Sequence, residues 1–326
     1  METQESPVQR SVLVTGGAGF IGSHLVDALM VRDASVRVLD NLSSGSLDNL
    51  EQWLENPRLR FLRGDLTDKA DVVEAVKGCG VLFHLAANPE VRLSSVEPDV
   101  QFVQNVVATY NVLEALRRSG SVESLVFTSS STVYGDAVKI PTPEDYAPLE
   151  PVSVYGACKL ASEALIISYA HTYGFRAVVF RLANIVGSRS RHGVICDFIR
   201  KLKTNTREME ILGDGTQAKS YLDVSDCVDA MLCGLEKSTG RVEVFNLGSK
   251  DWIDVKGIAD IAVEEMDLKD VSFRFTGGVD GGRGWKGDVK FMLLSIDRLR
   301  SLGWEPKLCS AEAVRATARS ILSEFD

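Results

Sequence analysis

A glycine-rich segment between a strand pattern and a helix pattern is the feature that most constrains this chain. It reads Val12-Leu-Val-Thr-Gly-Gly-Ala-Gly-Phe-Ile-Gly22, and Gly16, Gly19 and Gly22 have GxxGxxG spacing. Glycine has no Cβ, so the backbone of such a turn can approach a pyrophosphate, at which the following helix directs its free N–H groups and its dipole. A glycine triplet becomes convincing only between a strand and a helix, which is its context here. The segment therefore predicts a dinucleotide-binding turn.

Short apolar runs alternate with helical patterns through the first half of the chain. The predicted strands are Val12–Thr15, Ser35–Asp40, Arg58–Arg63, Val81–His84, Ser124–Ser129 and Ala177–Leu182. The predicted helices are Phe20–Val31, Asp68–Val76, Pro98–Ser119 and Ser153–Tyr173. Continuous apolar strands that alternate with helices indicate a parallel sheet covered on both faces. We therefore expect an α/β fold with a Rossmann-type doubly wound parallel sheet.

The alternation ends after about Leu182, where segments become shorter and richer in glycine. We expect residues 1–183 to form the NAD-binding Rossmann domain, with later segments returning to it. Residues 184–326 should form mainly a smaller C-terminal α/β lobe that binds substrate. Within this lobe Gly277–Gly287 is the most loop-like stretch, and it is either a surface connection or a mobile loop over the ligand.

The end of the second predicted strand indicates which dinucleotide is bound. Asp40 lies eighteen residues beyond Gly22, where a carboxylate accepts hydrogen bonds from the ribose 2′-OH of NAD and repels the 2′-phosphate of NADP. Asp40 could instead cap a turn with Asn41. Asp65-Leu66 and His84-Leu-Ala-Ala87 also follow predicted strands, at the edge where an open α/β sheet binds its ligands.

Composition excludes several other classes of protein. The 326 residues carry a formal net charge of −9, which argues against a nucleic-acid or anionic-membrane partner. The first residues, METQESPVQR, show no secretion signal, and there is no apolar run of membrane-spanning length. The six cysteines include no CxxC, and the four histidines share no helical face, so we expect no metal site. These features favour a cytoplasmic protein.

A tyrosine and a lysine one helical turn apart give the strongest chemical signal. In Tyr155-Gly-Ala-Cys-Lys159 the two side chains lie on one face of a predicted helix. A phenol acts as a base at neutral pH only if its pKa falls by roughly 3 units from about 10. A nearby ammonium together with a positive nicotinamide ring can supply that shift in a cleft poor in water. Ser130, at the hydroxyl-rich end of the fifth predicted strand, can orient the proton transfer.

The chain contains four motifs in the order TGGAGFIG, HLAA, SSSTVYG and YGACK. In this order and spacing they resemble the motifs of the extended short-chain dehydrogenase/reductase family. Within that family the chain is similar to NAD-dependent nucleotide-sugar epimerases of the UDP-glucose 4-epimerase type, along nearly its whole length. The resemblance implies Ser130, Tyr155 and Lys159 as the catalytic set. The residues expected to bind NAD are Gly16, Gly19, Phe20, Ile21, Gly22, Asp40, Asn41, Asp65, Leu66, Leu85, Ala86, Ala87, Asn105, Tyr155 and Lys159.

The resemblance also implies a set of substrate-binding residues. Asn184 in RLANIVG is expected to contact the diphosphate. The family's phosphate-binding arginine corresponds to Lys219, which neutralises a phosphate as a point charge only. The family's Arg-x-Gly-Asp becomes Trp285-Lys-Gly-Asp288, so that the arginine is either displaced to Arg283 or replaced by Lys286. The complete expected set is Ser130, Thr132, Tyr155, Asn184, Lys219, Arg283 and Met292.

One absence separates the reactions of this family. Its 4,6-dehydratases and UDP-glucuronate decarboxylases carry a carboxylate just after the catalytic hydroxyl, where this chain has Ser131 and Thr132. Epimerisation at C4 of a UDP-hexose is therefore the preferred hypothesis. The alternatives are a nucleotide-sugar reductase or dehydrogenase, a dehydratase or decarboxylase of the same family, and a non-catalytic NAD sensor. Met292 would admit glucose, glucuronate or an N-acetyl sugar. In the family that the chain resembles, helices such as those predicted at Pro98–Ser119 and Ser153–Tyr173 dock against their copies in a four-helix dimer interface, so the resemblance implies a homodimer.

Overall fold

The structure is a computed structural model that describes residues 11–92 and 96–324. The described chain divides into two compact units. The first unit contains the residues up to Ser130 together with Val154–Arg181 and Val228–Phe245. The second unit contains Ser131–Ser153, Leu182–Cys227 and the residues from Asn246 onward. The chain thus passes from one unit to the other several times.

Short strands occur throughout the described residues, and the longer helices are distributed over both units. The strands are β1 (Ser11–Thr15), β2 (Ser35–Asp40), β3 (Leu59–Arg63), β4 (Val81–His84), β5 (Ser124–Ser130), β6 (Arg176–Leu182), β7 (Asn184–Val186), β8 (Glu208–Ile211), β9 (Ala218–Lys219), β10 (Tyr221–Asp223), β11 (Val242–Leu247), β12 (Ile253–Asp254), β13 (Ser272–Phe275) and β14 (Phe291–Met292). The α-helices are α1 (Phe20–Val31), α2 (Lys69–Val76), α3 (Pro98–Gln101), α4 (Ala108–Ser119), α5 (Val154–Tyr173), α6 (Val194–Thr204), α7 (Val224–Lys237), α8 (Val255–Glu265), α9 (Asp297–Ser301) and α10 (Ser310–Ser323).

The main sheet is parallel and has seven strands in the order β11-β6-β5-β4-β1-β2-β3. The strand order reverses between β1 and β4, and parallel α/β sheets bind their ligands at that switch point. The register aligns Thr15 with His84 across the switch point, so that the glycine turn after β1 and the loop after β4 begin side by side. The predicted Rossmann-type doubly wound sheet is confirmed.

The strands of this sheet are buried because their side chains are apolar on both faces. Val12, Leu13 and Val14 are all inaccessible to solvent. One face packs against α2, α4 and α5 through a continuous core that includes Leu82, Phe127 and Val179. Each of the six predicted strands agrees with an observed strand to within one residue at either end.

The helix predicted over Pro98–Ser119 is wrong in one respect. Between α3 and α4 the segment Phe102–Val107 is a π-helix, with a wider turn than an α-helix. This turn carries the buried Asn105, whose carbonyl accepts bonds from the hydroxyls of Thr109 (2.6 Å) and Ser162 (3.2 Å). A 3.6-residue periodicity does not reveal a single wide turn, because the apolar face continues beyond it.

The second unit has small sheets and an apolar core of its own. Its sheets are β10-β7, β12-β9-β14 and β13-β8. Helices α6, α8 and α10 enclose a buried cluster that includes Ile199, Ile258 and Val314. Among the residues that the structure describes, no helix is long and apolar enough to cross a membrane.

Candidate functional site

The glycine turn after β1 is compact for steric reasons. Gly16 has φ +71°, and a Cβ at this position would lie 2.8 Å from the backbone of Ala86 in the loop after β4. A Cβ on Gly22 would lie 2.1 Å from the carbonyl oxygen of Gly16. Gly19 is the N-cap of α1, and no side chain caps this helix. The N-terminus of α1 therefore combines a close backbone approach with amide groups suited to an anion.

Asp40 at the end of β2 stabilises this turn from the side. One carboxylate oxygen accepts a bond from the amide of Ala18 (3.0 Å), and the other accepts from the amide of Leu42 (2.8 Å). Burial raises the pKa of Asp40, while the two amide bonds act in the opposite direction. Each oxygen retains a second lone pair. Asp40 therefore caps the turn with Leu42, and it still has acceptor capacity for a hydroxyl donor.

The loops after β3 and β4 contain the other expected cofactor residues. Asn41 donates to the carboxylate of Asp65 (2.8 Å). The carbonyl of Leu66 accepts from the side chain of Asn111 on α4 (2.9 Å). Asn105 accepts from the amide of Asn88 (3.0 Å), which fixes the loop that begins with Leu85, Ala86 and Ala87. Phe20 and Ile21 form the first turn of α1.

Ser130, Tyr155 and Lys159 come together at the carboxyl end of β5. Ser130 ends β5, while Tyr155 and Lys159 lie in the first two turns of α5. The side chains of Ser130 and Tyr155 are hydrogen-bonded. The Lys159 ammonium donates to the Thr128 carbonyl (2.9 Å) and lies 5.9 Å from the centre of the Tyr155 ring. The structure thus brings the three residues into the grouping expected from the sequence.

The protonation state of Tyr155 differs from that of a phenolate held by a neighbouring lysine. Burial raises the pKa of Tyr155 to about 12, opposed only by the hydrogen bond with Ser130. Burial also lowers the pKa of Lys159 to about 8. The phenol is therefore protonated at neutral pH under the influence of the chain's own groups, since desolvation outweighs the nearby ammonium.

Several buried polar residues lie near Lys159. His84 was noted in the sequence only as the start of HLAA, and Glu163 and Arg181 were not singled out there. His84 bonds to the hydroxyls of Thr15 and Thr109, each at 2.9 Å. Burial, with a smaller contribution from Lys159, lowers the pKa of His84 to about 3, so the imidazole is neutral. Glu163 and Arg181 form a buried ion pair. Glu163 lies one helical turn beyond Lys159, and that spacing was the available signal.

Three of the expected substrate residues of the second unit, Asn184, Lys219 and Met292, lie close together. The Lys219 ammonium bonds to the Asp288 carboxylate (2.6 Å) and lies over the Trp285 ring. Met292 pairs with Lys219 in the β14–β9 register. The backbone amide of Asn184 donates to the carbonyl of Ser220, the residue after Lys219 (3.2 Å). Thr132 lies in a 3₁₀ turn formed by Ser131–Tyr134.

Arg283 and the glycine-rich stretch around it are fixed within the same unit. The guanidinium of Arg283 binds both carboxylate oxygens of Asp136 at 2.9 Å and donates to the Asp288 carbonyl. Lys290 bonds to Asp214 (2.6 Å) and to the carbonyl of Gly281 (2.8 Å). Lys286, the alternative to Arg283, is exposed. Arg283 therefore contacts Asp288 of the Trp285–Asp288 motif, whereas Lys286, a member of that motif, has an exposed side chain.

In the described part of the chain, no three His, Cys, Asp or Glu side chains lie close enough together to bind a metal ion.

Comparisons with known proteins agree with this geometry. The model of the NAD dependent epimerase/dehydratase family matches residues 12–248. A crystal structure of UDP-galactose 4-epimerase superposes with a TM-score of 0.86 and 46% identity, covering 97% of this chain and 100% of that one. The putative UDP-glucose 4-epimerase of Methanocaldococcus jannaschii is 35% identical, over 93% of this chain and 96% of that protein. UDP-glucuronic acid decarboxylase 5 of Arabidopsis thaliana is 31% identical, over 91% of this chain and 85% of its own length.

Proposed function

Because the chain belongs to the NAD dependent epimerase/dehydratase family, we propose that it inverts C4 of a UDP-hexose, as a UDP-glucose 4-epimerase does. The observation that carries the proposal is the grouping of Tyr155 with Ser130 and Lys159 at the end of β5. A non-catalytic sensor has no need of this set. Ser131 and Thr132 provide no carboxylate for elimination or decarboxylation, which favours epimerisation over those reactions of the family.

The first unit fits an NAD molecule. Side chains at Gly16 or Gly22 would fill the compact turn, the first amides of α1 suit a pyrophosphate, and Asp40 retains acceptor capacity for a ribose hydroxyl. The remaining proposed NAD contacts are Gly19, Phe20, Ile21, Asn41, Asp65, Leu66, Leu85, Ala86, Ala87, Asn105, Tyr155 and Lys159. When bound, NAD⁺ supplies a hydride acceptor and a positive ring charge.

Tyr155 acts as the base and then as the acid of the proposed reaction. It takes the proton of the sugar 4-hydroxyl, and it returns a proton after the 4-keto sugar has presented its other face. Ser130 hydrogen-bonds the reacting oxygen, and the Lys159 ammonium favours the phenolate over the phenol. Because the chain's own groups leave the pKa of Tyr155 at about 12, a further positive charge beside the phenol is needed at neutral pH.

The second unit supplies the proposed substrate contacts, with Thr132, Asn184, Lys219, Arg283 and Met292 as candidates. Lys219 and Arg283 are the cations proposed for the diphosphate. Each already has a carboxylate partner, Asp288 and Asp136 respectively. A diphosphate therefore has to compete with these carboxylates or share the cations with them.

The experiment that tests the function is proton NMR of the purified protein with UDP-glucose, UDP-N-acetylglucosamine or UDP-glucuronate, without added cofactor. We expect the galacto epimer of at least one sugar to appear. No added cofactor should be needed, because an epimerase regenerates its own NAD in each turnover. Release of a UDP-pentose from UDP-glucuronate would identify a decarboxylase instead. Turnover only when NADH is added, with stoichiometric loss of its absorbance, would identify a reductase.

Asp40 is proposed to select NAD over NADP, and Asp40→Asn tests this role. The amide keeps the shape but removes the charge, so we expect NAD affinity to fall by about 10- to 100-fold, the value of one hydrogen bond to a charged group. NADP affinity should fall less. Calorimetry on protein freed of nucleotide measures both, with the exposed Asp48→Asn as the control. An unchanged ratio of the two affinities would leave Asp40 only its turn-capping role.

The chain is also proposed to form a homodimer through α4, α5 and the preceding π-helical turn. Phe102, Val103, Tyr110 and Tyr173 are large side chains left at 41–54% exposure on these helices. We expect light scattering at micromolar protein to give twice the chain mass, and Tyr110→Glu to give the monomer mass. Val31→Glu on α1, where Val31 is 73% exposed, is the matched control. A wild-type monomer, or a Tyr110→Glu dimer, would contradict this surface.

The proposed site of action is the cytoplasm. None of the six cysteines forms a disulfide bond in the described part of the chain, which suits a reducing compartment.

A further inference from the structure

A buried ion pair lies next to the catalytic lysine. Glu163 is one helical turn beyond Lys159 on α5, and Arg181 is the penultimate residue of β6. The guanidinium binds both carboxylate oxygens, with Nη2 at 2.8 Å and Nε at 3.1 and 3.2 Å. The exposures of Lys159, Glu163 and Arg181 are 4%, 1% and 5%. Three charges are therefore shielded from water within a short distance.

The polar surroundings of Lys159 leave Glu163 as its principal counter-charge. The ammonium donates to an uncharged acceptor, the Thr128 carbonyl. Strand β5 contributes no ionisable side chain, and the imidazole of His84 on β4 is neutral. On α5 itself, Tyr155 and Cys158 are uncharged at neutral pH because burial raises the pKa of each.

Among the described residues, the other elements packed on α5 do not bring a second carboxylate to Lys159. Asp99 of α3 is exposed. Glu114 of α4 is paired with Arg117 and bonds to Tyr169, which lies three turns along α5 from Lys159. On β6 the nearby charged group is Arg181 itself. Burial lowers the pKa of Lys159, and Glu163 is the largest influence in the opposite direction.

We propose that Glu163 is a positioning residue that keeps Lys159 protonated, and that Arg181 limits how strongly it does so. The proposal rests on the function proposed above, in which the ammonium acts on Tyr155. The i, i+4 spacing puts the Lys159 and Glu163 side chains on one face of α5. The bidentate guanidinium fixes the carboxylate there and withdraws part of its charge from Lys159. Without this carboxylate the ammonium would have no opposite charge to offset its burial.

The alternative is that the ion pair only joins α5 to β6. The two roles differ in the sign of their effects. If the pair is merely structural, Glu163→Gln and Arg181→Gln both lower stability and leave the pKa of Lys159 unchanged. If Glu163 sets the charge of Lys159, the two variants move that pKa in opposite directions, because one removes the nearby anion and the other removes the nearby cation.

The test measures the pKa of Lys159 by NMR of the full chain labelled with ¹³C-lysine, the signal being assigned with Lys159→Arg. Two unit charges about 6 Å apart at an effective dielectric of about 20 shift a pKa by about 2 units. We therefore expect Glu163→Gln to lower the pKa of Lys159 by about 1–2 units and Arg181→Gln to raise it. The double variant, in which the pair is neutral, should lie between the two single variants.

The pH profile of turnover gives an independent second measurement. Lys159 acts in its charged form, so activity is present below its pKa and lost above it. The alkaline limb should move to lower pH in Glu163→Gln and to higher pH in Arg181→Gln.

Two results would overturn the proposal: shifts of the same sign in both single variants, or no shift in either. If Glu163→Gln does not fold, Arg181→Gln and the double variant still decide between the signs. Opposite NMR shifts in a protein without epimerase activity would support the electrostatic role of Glu163 and refute the proposed function separately.

Discussion

Replacing Tyr155 by phenylalanine is expected to reduce turnover by about 10³-fold, within the 10²–10⁴-fold that a positioned acid or base contributes. The substitution removes the hydroxyl that bonds with Ser130 and leaves the ring in place. Because the phenol takes and returns the proton in the proposed reaction, its loss should lower kcat more than it raises KM. The measurement is steady-state epimerisation of the best sugar found by NMR.

The matched control is Tyr173→Phe, on the same helix but 50% exposed. It should retain full specific activity. Unchanged melting temperature and nucleotide content in Tyr155→Phe would assign its loss to chemistry rather than to folding. Near-normal turnover by a folded Tyr155→Phe protein would show that the mechanism proposed here is wrong.

Gly16→Ala is expected to abolish tight NAD binding. The added Cβ would lie 2.8 Å from the backbone N and Cα of Ala86, so either the turn after β1 or the loop after β4 has to move. Loss of one or two hydrogen bonds to a charged phosphate, each worth about 1.5–3 kcal/mol, corresponds to at least about 10-fold in affinity and commonly about 100-fold or more. Nucleotide content after purification and calorimetric affinity are the measurements.

Gly78→Ala separates steric conflict from backbone strain. Gly78 has φ +70°, almost the value of Gly16, but a Cβ added there would have no neighbouring atom within 4 Å. Both variants therefore carry the cost of a left-handed alanine, roughly 1–2 kcal/mol, and only Gly16→Ala adds the contact with Ala86. Equal losses of NAD affinity in the two variants would refute the close approach as the cause.

The main sheet was predictable because its strands are buried on both faces. Such strands appear as continuous apolar runs, and Asp40, His84 and Ser130 end three of them with polar residues. The glycine turn was predictable for a steric reason, since Gly16 and Gly22 occupy positions where a Cβ would collide with backbone. The expectation for Tyr155 and Lys159 came from helical spacing together with the hydroxyl-rich end of the fifth strand and the resemblance of the four motifs.

The features that were not predictable depend on contacts distant in sequence. The Glu163–Arg181 pair joins residues on different elements, and nothing in YGACK indicates that Lys159 is buried beside it. Burial likewise decides the pKa of Tyr155, and the sequence does not reveal it. Lys219 could be recognised as a cation, but its pairing with Asp288 depends on how β9 and the loop before β14 pack.

The position of β11 has a consequence for synthesis of the chain. Strand β6 ends at Leu182, but its neighbour β11 begins only at Val242, and their backbones bond from Ala177 to Arg241 and from Ala183 to Leu247. Until Leu247 has left the ribosome, β6 presents a buried-type apolar strand with one unpaired edge. Such an edge can pair with another nascent chain. A fragment truncated near residue 183 should therefore aggregate, whereas one that continues past Leu247 has the strand needed to close that edge.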